Sequence, residues 1–339
     1  MTLRLRIDAQ RWHAHQEDVL HRVPGLVPVA KGNGYGFGLD LLAQESSRLG
    51  VDVIAVGVAE EVATVRAGGW DGDVVVLNPW RPGDLAATAL LTDNRVTTTV
   101  SRTDDLRLIA EIAPGARVVV ELLTSMLRHG LAPEEAAGLD LGGVTLEGWA
   151  IHLPANGSLA EAQRLAAAPR VEAPLWLSHL SIDDYRRFAD ASPVPARMRV
   201  GTRLWLGDKQ AYRTTATVLD VHRVTRGTPL GYHQTKAPRD GFIVVVSGGT
   251  AHGLALAAPV PQRSPRQRLV TVAEGVLSAT GRALSPFTLG GKKRPFAEPP
   301  HMHSSMLFVA GNDPLVQVGD DVDVTVRMTT TTPDEIVGL

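Results

Sequence analysis

Apolar and polar residues alternate from Leu3 to Ile7, the period-two pattern of a half-buried strand. Residues 8–23 switch to helical spacing, with Leu20 and Val23 on one face. Residues 27–30 then form a short apolar run, the end of a buried strand. Further strands are predicted at 53–58, 73–77, Val96–Val100, 117–123, Thr145–His152 and 175–180, and helices at 39–49, 59–68, 106–112 and 159–168. Strands separated by helices at this spacing predict parallel βαβ units. About eight strands fit before Val200, which favours a (β/α)8 TIM-type barrel over residues 1–207 rather than an open sheet.

After about Gly207 the texture changes. Residues 214–224, 242–247, 267–272, 305–309 and 321–328 are β-rich and punctuated by turns, and helical spacing nearly vanishes. They predict a mostly antiparallel C-terminal β domain over 208–339. Residues 261–266, rich in Pro and Arg, and 290–300, rich in Gly, Lys and Pro, read as surface loops.

Residues 27–38, Val-Pro-Val-Ala-Lys-Gly-Asn-Gly-Tyr-Gly-Phe-Gly, carry the first chemistry. A buried strand delivers Lys31 into a segment where every second residue from Gly32 to Gly38 is glycine. Burial lowers a lysine's pKa, and a neutral amine is a nucleophile towards a carbonyl. Glycine lets backbone approach a ligand closely, and Tyr35 offers a rigid hydroxyl to an anion. Together these suit an aldehyde cofactor carrying a phosphate, such as pyridoxal phosphate held as a Schiff base. A Gly-rich βα turn with a solvated lysine accounts for the spacing alone equally well. Arg128, His152, Ser178 and Arg199, with Lys31, fall at or just after predicted strand ends, where a parallel barrel gathers its ligand groups.

Length and charge narrow the classes. A chain of 339 residues fits about two domains. A net charge of −2 gives no footprint for nucleic acid or an anionic membrane. The absence of cysteine excludes disulfides, Cys-ligated metal and thiol catalysis, and leaves the compartment undecided. No apolar run is long enough to span a bilayer, and the first residues hold no apolar core of signal-peptide length, so a cytoplasmic location is expected.

The lysine segment resembles the Lys-Ala-Asn-Ala-Tyr-Gly-His-Gly motif of alanine racemases. Lys31, Asn33, Tyr35, Gly36 and Gly38 match, Phe37 replaces the histidine, and Gly32 and Gly34 replace the alanines. Barrel first and β domain second is also that family's order, and the resemblance extends over nearly the whole chain. It implies that Lys31 carries pyridoxal phosphate, that Tyr35 is near it, and that His152 stacks on its ring. Ser178, Gly201 and Thr202 are implied phosphate ligands, and Arg199, in Arg197-Met198-Arg199-Val200-Gly201-Thr202, is implied to face the ring nitrogen. An arginine does not yield its proton to that nitrogen, so the electron sink stays weak, which suits racemisation.

Glu121 to Gly130 is similar to the family's Lys-Val-Asp-Thr-Gly-Met-Gly-Arg-Leu-Gly, with Thr124, Met126, Arg128 and Gly130 matching. The resemblance places Arg128 near the cofactor's phenolic oxygen and the substrate. Glu121 stands where the family often has a carbamylated lysine, and a carboxylate can pair with Arg128 directly. Leu123 replaces an aspartate. Leu230-Gly231-Tyr232 resembles the family's Val-Gly-Tyr, which carries the second base. Exchange of a Cα proton between two faces needs an acid/base group on each, and Lys31 and Tyr232 are the implied pair. The family tyrosine enters from a partner subunit, so a homodimer is implied.

Near the substrate, Met306 matches the family's Val-Ser-Met-Asp while Leu307 replaces its aspartate. Thr250 and His252 replace a tyrosine and an aspartate at the entrance. Beyond the position of Leu339 the family supplies one more phosphate-contacting tyrosine. The leading expectation is a pyridoxal-phosphate amino-acid racemase, with alanine the first substrate. Two other readings stay open. His301 and His303 offer imidazoles to a metal, as in the D-amino-acid dehydratase and aldolase branch of the fold, and altered entrance residues would also suit a non-catalytic pyridoxal-phosphate-binding protein.

Overall fold

The computed structural model describes residues 2–256 and 283–339. The strand expected at 267–272 and the loop at 261–266 lie outside the described residues. The chain divides into two compact units, His13–Gly207 and Met1–Trp12 with Asp208–Leu339.

Strand β1 (Leu3–Ile7) belongs to the second unit. Eight strands build the first: β2 (Leu26–Pro28), β3 (Val53–Val56), β4 (Asp73–Val76), β5 (Val96–Val100), β6 (Arg117–Leu122), β7 (Thr145–His152), β8 (Leu175–Ser178) and β9 (Ala196–Val200). They pair in parallel in the order β2-β9-β8-β7-β6-β5-β4-β3. Val29 bridges Ala55, and the Ala30 amide donates to the Ala55 carbonyl at 2.8 Å, joining β2 to β3. This is the expected barrel.

Val27, Val29, Val53, Ala55, Val75, Val119, Ala150 and Trp176 form one buried cluster inside it. In β2 and β3 they stand two residues apart, Val27 with Val29 and Val53 with Ala55, and since strand side chains alternate, each strand has an interior phase and an exterior phase. In β5 that phase falls on Thr97 and Thr99, in register with Val75 and Val119. The Thr99 hydroxyl is satisfied by the Val76 carbonyl at 2.6 Å. The register between β6 and β7 shifts once: Val118 pairs with Leu146, but Val119 pairs with Gly148, leaving Glu147 as an extra residue. Gly148 is required there, since its φ is 153° and a Cβ would lie 2.3 Å from the Pro174 carbonyl oxygen.

The second unit holds β1, β10 (Tyr212–Val224), β11 (Pro229–Leu230), β12 (Thr235–Lys236), β13 (Gly241–Ser247), β14 (Leu284–Leu289), β15 (Lys292–Pro295), β16 (Ser304–Ala310), β17 (Asp321–Val324) and β18 (Glu335–Val337). The pairings are antiparallel except β1 with β18. The long strand β10 is the spine, pairing with β1, β17 and β13. Two expectations change here. The 290–300 stretch contains β15, turned back on β14 through Gly290 and Gly291, whose φ values are 57° and 72°. The first strand lies with the β sheet, not with the barrel. Its alternation buries Leu3, Leu5 and Ile7 on one face, as suits a sheet covered on one side, whereas barrel strands are covered on both, and β3, Val-Ile-Ala-Val, is buried at every position.

A candidate active site at the rim of the barrel

Strands β2, β9, β8, β7 and β6 are consecutive neighbours, and their C-terminal ends share one rim. The interior phase decides which residues project there. Two positions on from Val119, Ala150 and Trp176 stand Glu121, His152 and Ser178, and two on from Val29 stands Lys31. Arg199 is in register with Val27, so it too faces inward. The periodicity that fills the barrel with valine thus also gathers the polar residues.

Arg199 is buried, and one Nη donates to the Trp176 carbonyl at 3.2 Å. Its Nε has no hydrogen-bond partner. Burial lowers its pKa to about 10, with Arg128 adding to the effect and Glu121 opposing it. Lys31 is solvent-accessible in the chain taken alone, yet enough protein surrounds its amine to lower the pKa. Loss of water is the largest cause, Arg128 and Arg199 add to it, and Glu61 opposes it. The His152 Nδ1 lies 2.8 Å from the Ser178 hydroxyl. Burial, then Arg199 and Arg128, drive the His152 pKa down to about 2, so the ring is neutral. The rim therefore carries more cationic than anionic groups, an environment for an anion.

The Tyr35 hydroxyl is buried, and burial followed by Glu61 raises its pKa to about 12. It packs on Gly201, where an added Cβ would lie 2.0 Å from the phenolic oxygen. Gly201→Ala is therefore expected to destabilise the fold by about 1–3 kcal/mol, the usual cost of overpacking. Tyr35→Phe in the same chain should recover part of it, as thermal melts would show. Thr202 is exposed and opens the short helix Thr202–Leu206. Arg128 is half-exposed, with a guanidinium nitrogen 3.9 Å from an oxygen of buried Glu121. That is an ion pair without a hydrogen bond, looser than the direct pairing expected.

Two rim residues were not singled out from sequence. His179 sets its ring edge-on to His152, 5.1 Å between centroids, and burial and Arg199 lower its pKa. Glu61, in the first turn of the helix Glu60–Ala67, accepts from the Gly32 amide at 2.6 Å with one oxygen. Its other oxygen accepts from Gly57 at 2.6 Å and Val58 at 3.3 Å. It ties the lysine loop to the loop after β3. The only earlier signal for His179 was its place beside Ser178. Both Tyr35 (φ 55°) and His179 (φ 63°) occupy the left-handed region, a strain typical of functional sites.

The remaining candidates lie in the β unit, so Lys31 and Tyr232 belong to different units. The Tyr232 side chain is 83 % exposed. Met306 lines the apolar cluster of Leu230, Ile243 and Phe308, and Leu307 is fully buried in the sheet core. The His252 Nε2 lies 3.0 Å from an Asp334 oxygen, whose other oxygen accepts from the Leu3 amide at 2.7 Å. That histidine is a tie within the fold. His301 engages Glu298 at 2.6 Å, while His303 lies edge-on to His252. Among the described residues, no group of three or more His, Cys, Asp or Glu is set to hold a metal. An apolar pocket of about 330 Å³, lined by Trp149, Leu175, Phe188 and Val194, lies near the opposite ends of β8 and β9, away from this chemistry.

The family profile "Alanine racemase, N-terminal domain" matches residues 7–185. The alanine racemase of Desulfovibrio desulfuricans is 29 % identical over 163 residues, 45 % of this chain and 43 % of that protein. The alanine racemase of Nitratidesulfovibrio vulgaris is 25 % identical over 295 residues, 74 % of this chain and 75 % of that one. The crystal structure of alanine racemase from Bartonella henselae, with covalently bound pyridoxal phosphate, superposes with a TM-score of 0.72 at 17 % identity, covering 98 % of each chain. The likeness in fold thus spans both units, while one sequence match covers less than half of its relative.

Proposed function

Because the chain belongs to the alanine racemase family, whose N-terminal profile spans more than half of it, we propose that it is a pyridoxal-phosphate-dependent amino-acid racemase. Alanine is the first substrate to test. The observation that carries this reading is Arg199: a buried guanidinium with an unpartnered Nε, facing into the barrel beside a lysine of lowered pKa. An unpartnered buried donor is costly unless a ligand supplies the acceptor. An unprotonated ring nitrogen is such an acceptor.

The residues present fit the cofactor. Lys31 would bind its aldehyde carbon, His152 would lie on its ring, and Arg199 would face its nitrogen. Tyr35, Ser178, Gly201 and Thr202 would hold the phosphate, which the excess of cations favours. When bound, pyridoxal phosphate supplies the electron-withdrawing ring that acidifies the substrate's Cα–H. The chain supplies the proton handling. Lys31 and Tyr232 each hold or remove a proton at Cα, one on each face, with Tyr232 donated by a second copy of the chain. Arg128 holds an oxyanion of the substrate, and Met306 borders it.

The test is solvent deuterium uptake at Cα, with L- and D-amino acids offered to protein loaded with pyridoxal phosphate. Label entering both enantiomers of alanine, with interconversion, is the expected result. Cofactor binding without exchange of any amino acid would instead indicate a carrier. Ammonia release from a D-amino acid, lost on chelation, would indicate the metal-assisted dehydratase.

A further inference from the structure

Tyr232 follows the two-residue strand β11 and projects from a turn with a largely exposed ring. Such a side chain, free at two torsions, is poorly suited to meet a carbon-bound proton, because acid/base catalysis needs a group held within tenths of an ångström. One nearby feature limits that freedom. Glu298 is buried, and one of its carboxylate oxygens accepts from the Tyr232 amide at 2.7 Å. The other engages the His301 Nε2 at 2.6 Å. The His301 ring in turn lies against the Tyr232 ring, 5.0 Å between centroids and tilted by 51°.

The turn is shaped to admit this carboxylate. Gly231 has a φ of 61°, and a Cβ on it would lie 1.9 Å from the Glu298 oxygen that holds Tyr232. The Gln234 side-chain amide donates to the Gly231 carbonyl at 2.7 Å, bracing the turn from its other side. The His301 backbone is fixed as well, its amide donating to the Ser304 carbonyl at 2.9 Å and its carbonyl accepting from the Thr250 amide at 2.9 Å.

A buried carboxylate is expensive unless it is well bonded. Here both of its oxygens serve the tyrosine, one directly and one through the imidazole. We propose that Glu298 and His301 are positioning residues for Tyr232: Glu298 fixes the backbone of the turn, and the imidazole it holds sets the plane of the phenol. The proposal deepens the racemase reading and rests on Tyr232 being the second base.

The test uses holoprotein carrying Tyr232→Phe, His301→Gln or Glu298→Gln. Glutamine at 301 keeps a donor for Glu298 and removes the ring. Glutamine at 298 keeps the shape but leaves one carbonyl oxygen where two acceptors served. The chain has four tyrosines, so ring-¹³C tyrosine labelling gives few signals, and Tyr232→Phe assigns the relevant one. In both glutamine variants the Tyr232 signal is expected to shift and broaden, while those of Tyr35, Tyr185 and Tyr212 stay in place.

With Cα-deuterated L- and D-alanine, kcat should fall about tenfold or more with KM little changed, as misplacement of a reacting group predicts. The isotope effect should rise for the one enantiomer whose proton Tyr232 removes. A merely structural lesion would change both enantiomers alike. If Tyr232→Phe abolishes turnover but neither glutamine variant moves the signal or the isotope effect, the proposal is overturned and the racemase reading stands. If Tyr232→Phe turns over normally, the second-base reading falls and the proposal with it. Should Glu298→Gln not fold, His301→Gln alone decides.

Discussion

Lys31→Ala is expected to abolish the visible absorbance that pyridoxal phosphate acquires on condensing with a lysine, and to lower racemisation by about a thousandfold or more, because both covalent attachment and one of two bases are lost. Absorption of the purified variant and polarimetry read the two effects separately. An unchanged band would move the attachment to another lysine. The lysine's environment adds a pH dependence with a definite sign. Capture of the cofactor by apoprotein follows the neutral amine, so its rate should rise with pH and level off below the ordinary lysine value of 10.5, since burial, Arg128 and Arg199 favour the neutral form. Removing the cation with Arg128→Met should move that midpoint up. Removing the anion with Glu61→Gln should move it down. A wild-type midpoint at or above the ordinary value would mean a solvated lysine and would remove the physical basis of the site.

Mixing inactive Lys31→Ala and Tyr232→Phe subunits is expected to restore activity. In a symmetric dimer whose sites each take Lys31 from one copy and Tyr232 from the other, each heterodimer has one site with both lesions and one with neither. Free exchange of subunits should then yield about a quarter of wild-type activity, since half the dimers are mixed and half their sites intact. Each variant alone should stay near background. Mass measurement confirms that heterodimers formed. If they form and no activity returns, Lys31 and Tyr232 act within one chain or Tyr232 is not a base. A fully active monomer would refute the shared site outright.

The barrel was legible in the chain because its strands are short apolar runs separated by helices, a pattern with few alternative folds. The rim followed from it: Lys31, His152, Ser178 and Arg199 were placed at strand ends by spacing, and the structure puts all of them on the interior phase of neighbouring strands. What stayed hidden is non-local. Alternation in Leu3–Ile7 showed a strand but did not name the sheet it joins. Glu61 looked like one more acidic residue at a helix start, and its meaning lies in the Gly32 amide 29 residues earlier. Glu298 sits in a proline-rich stretch read as loop, and its partner Tyr232 is 66 residues away. A carboxylate's role depends on the amides it meets, and sequence spacing does not encode that meeting.

The extra residue in β7 acts as a frameshift within a strand. Side chains alternate strictly, so one inserted residue exchanges the two faces for everything that follows. Before the shift, Leu146 pairs with the outward-facing Val118. After it, Gly148, Ala150 and His152 carry the interior phase that Trp149 and Ile151 would otherwise have taken. His152 thus owes its place at the rim to a length, not to its own neighbours.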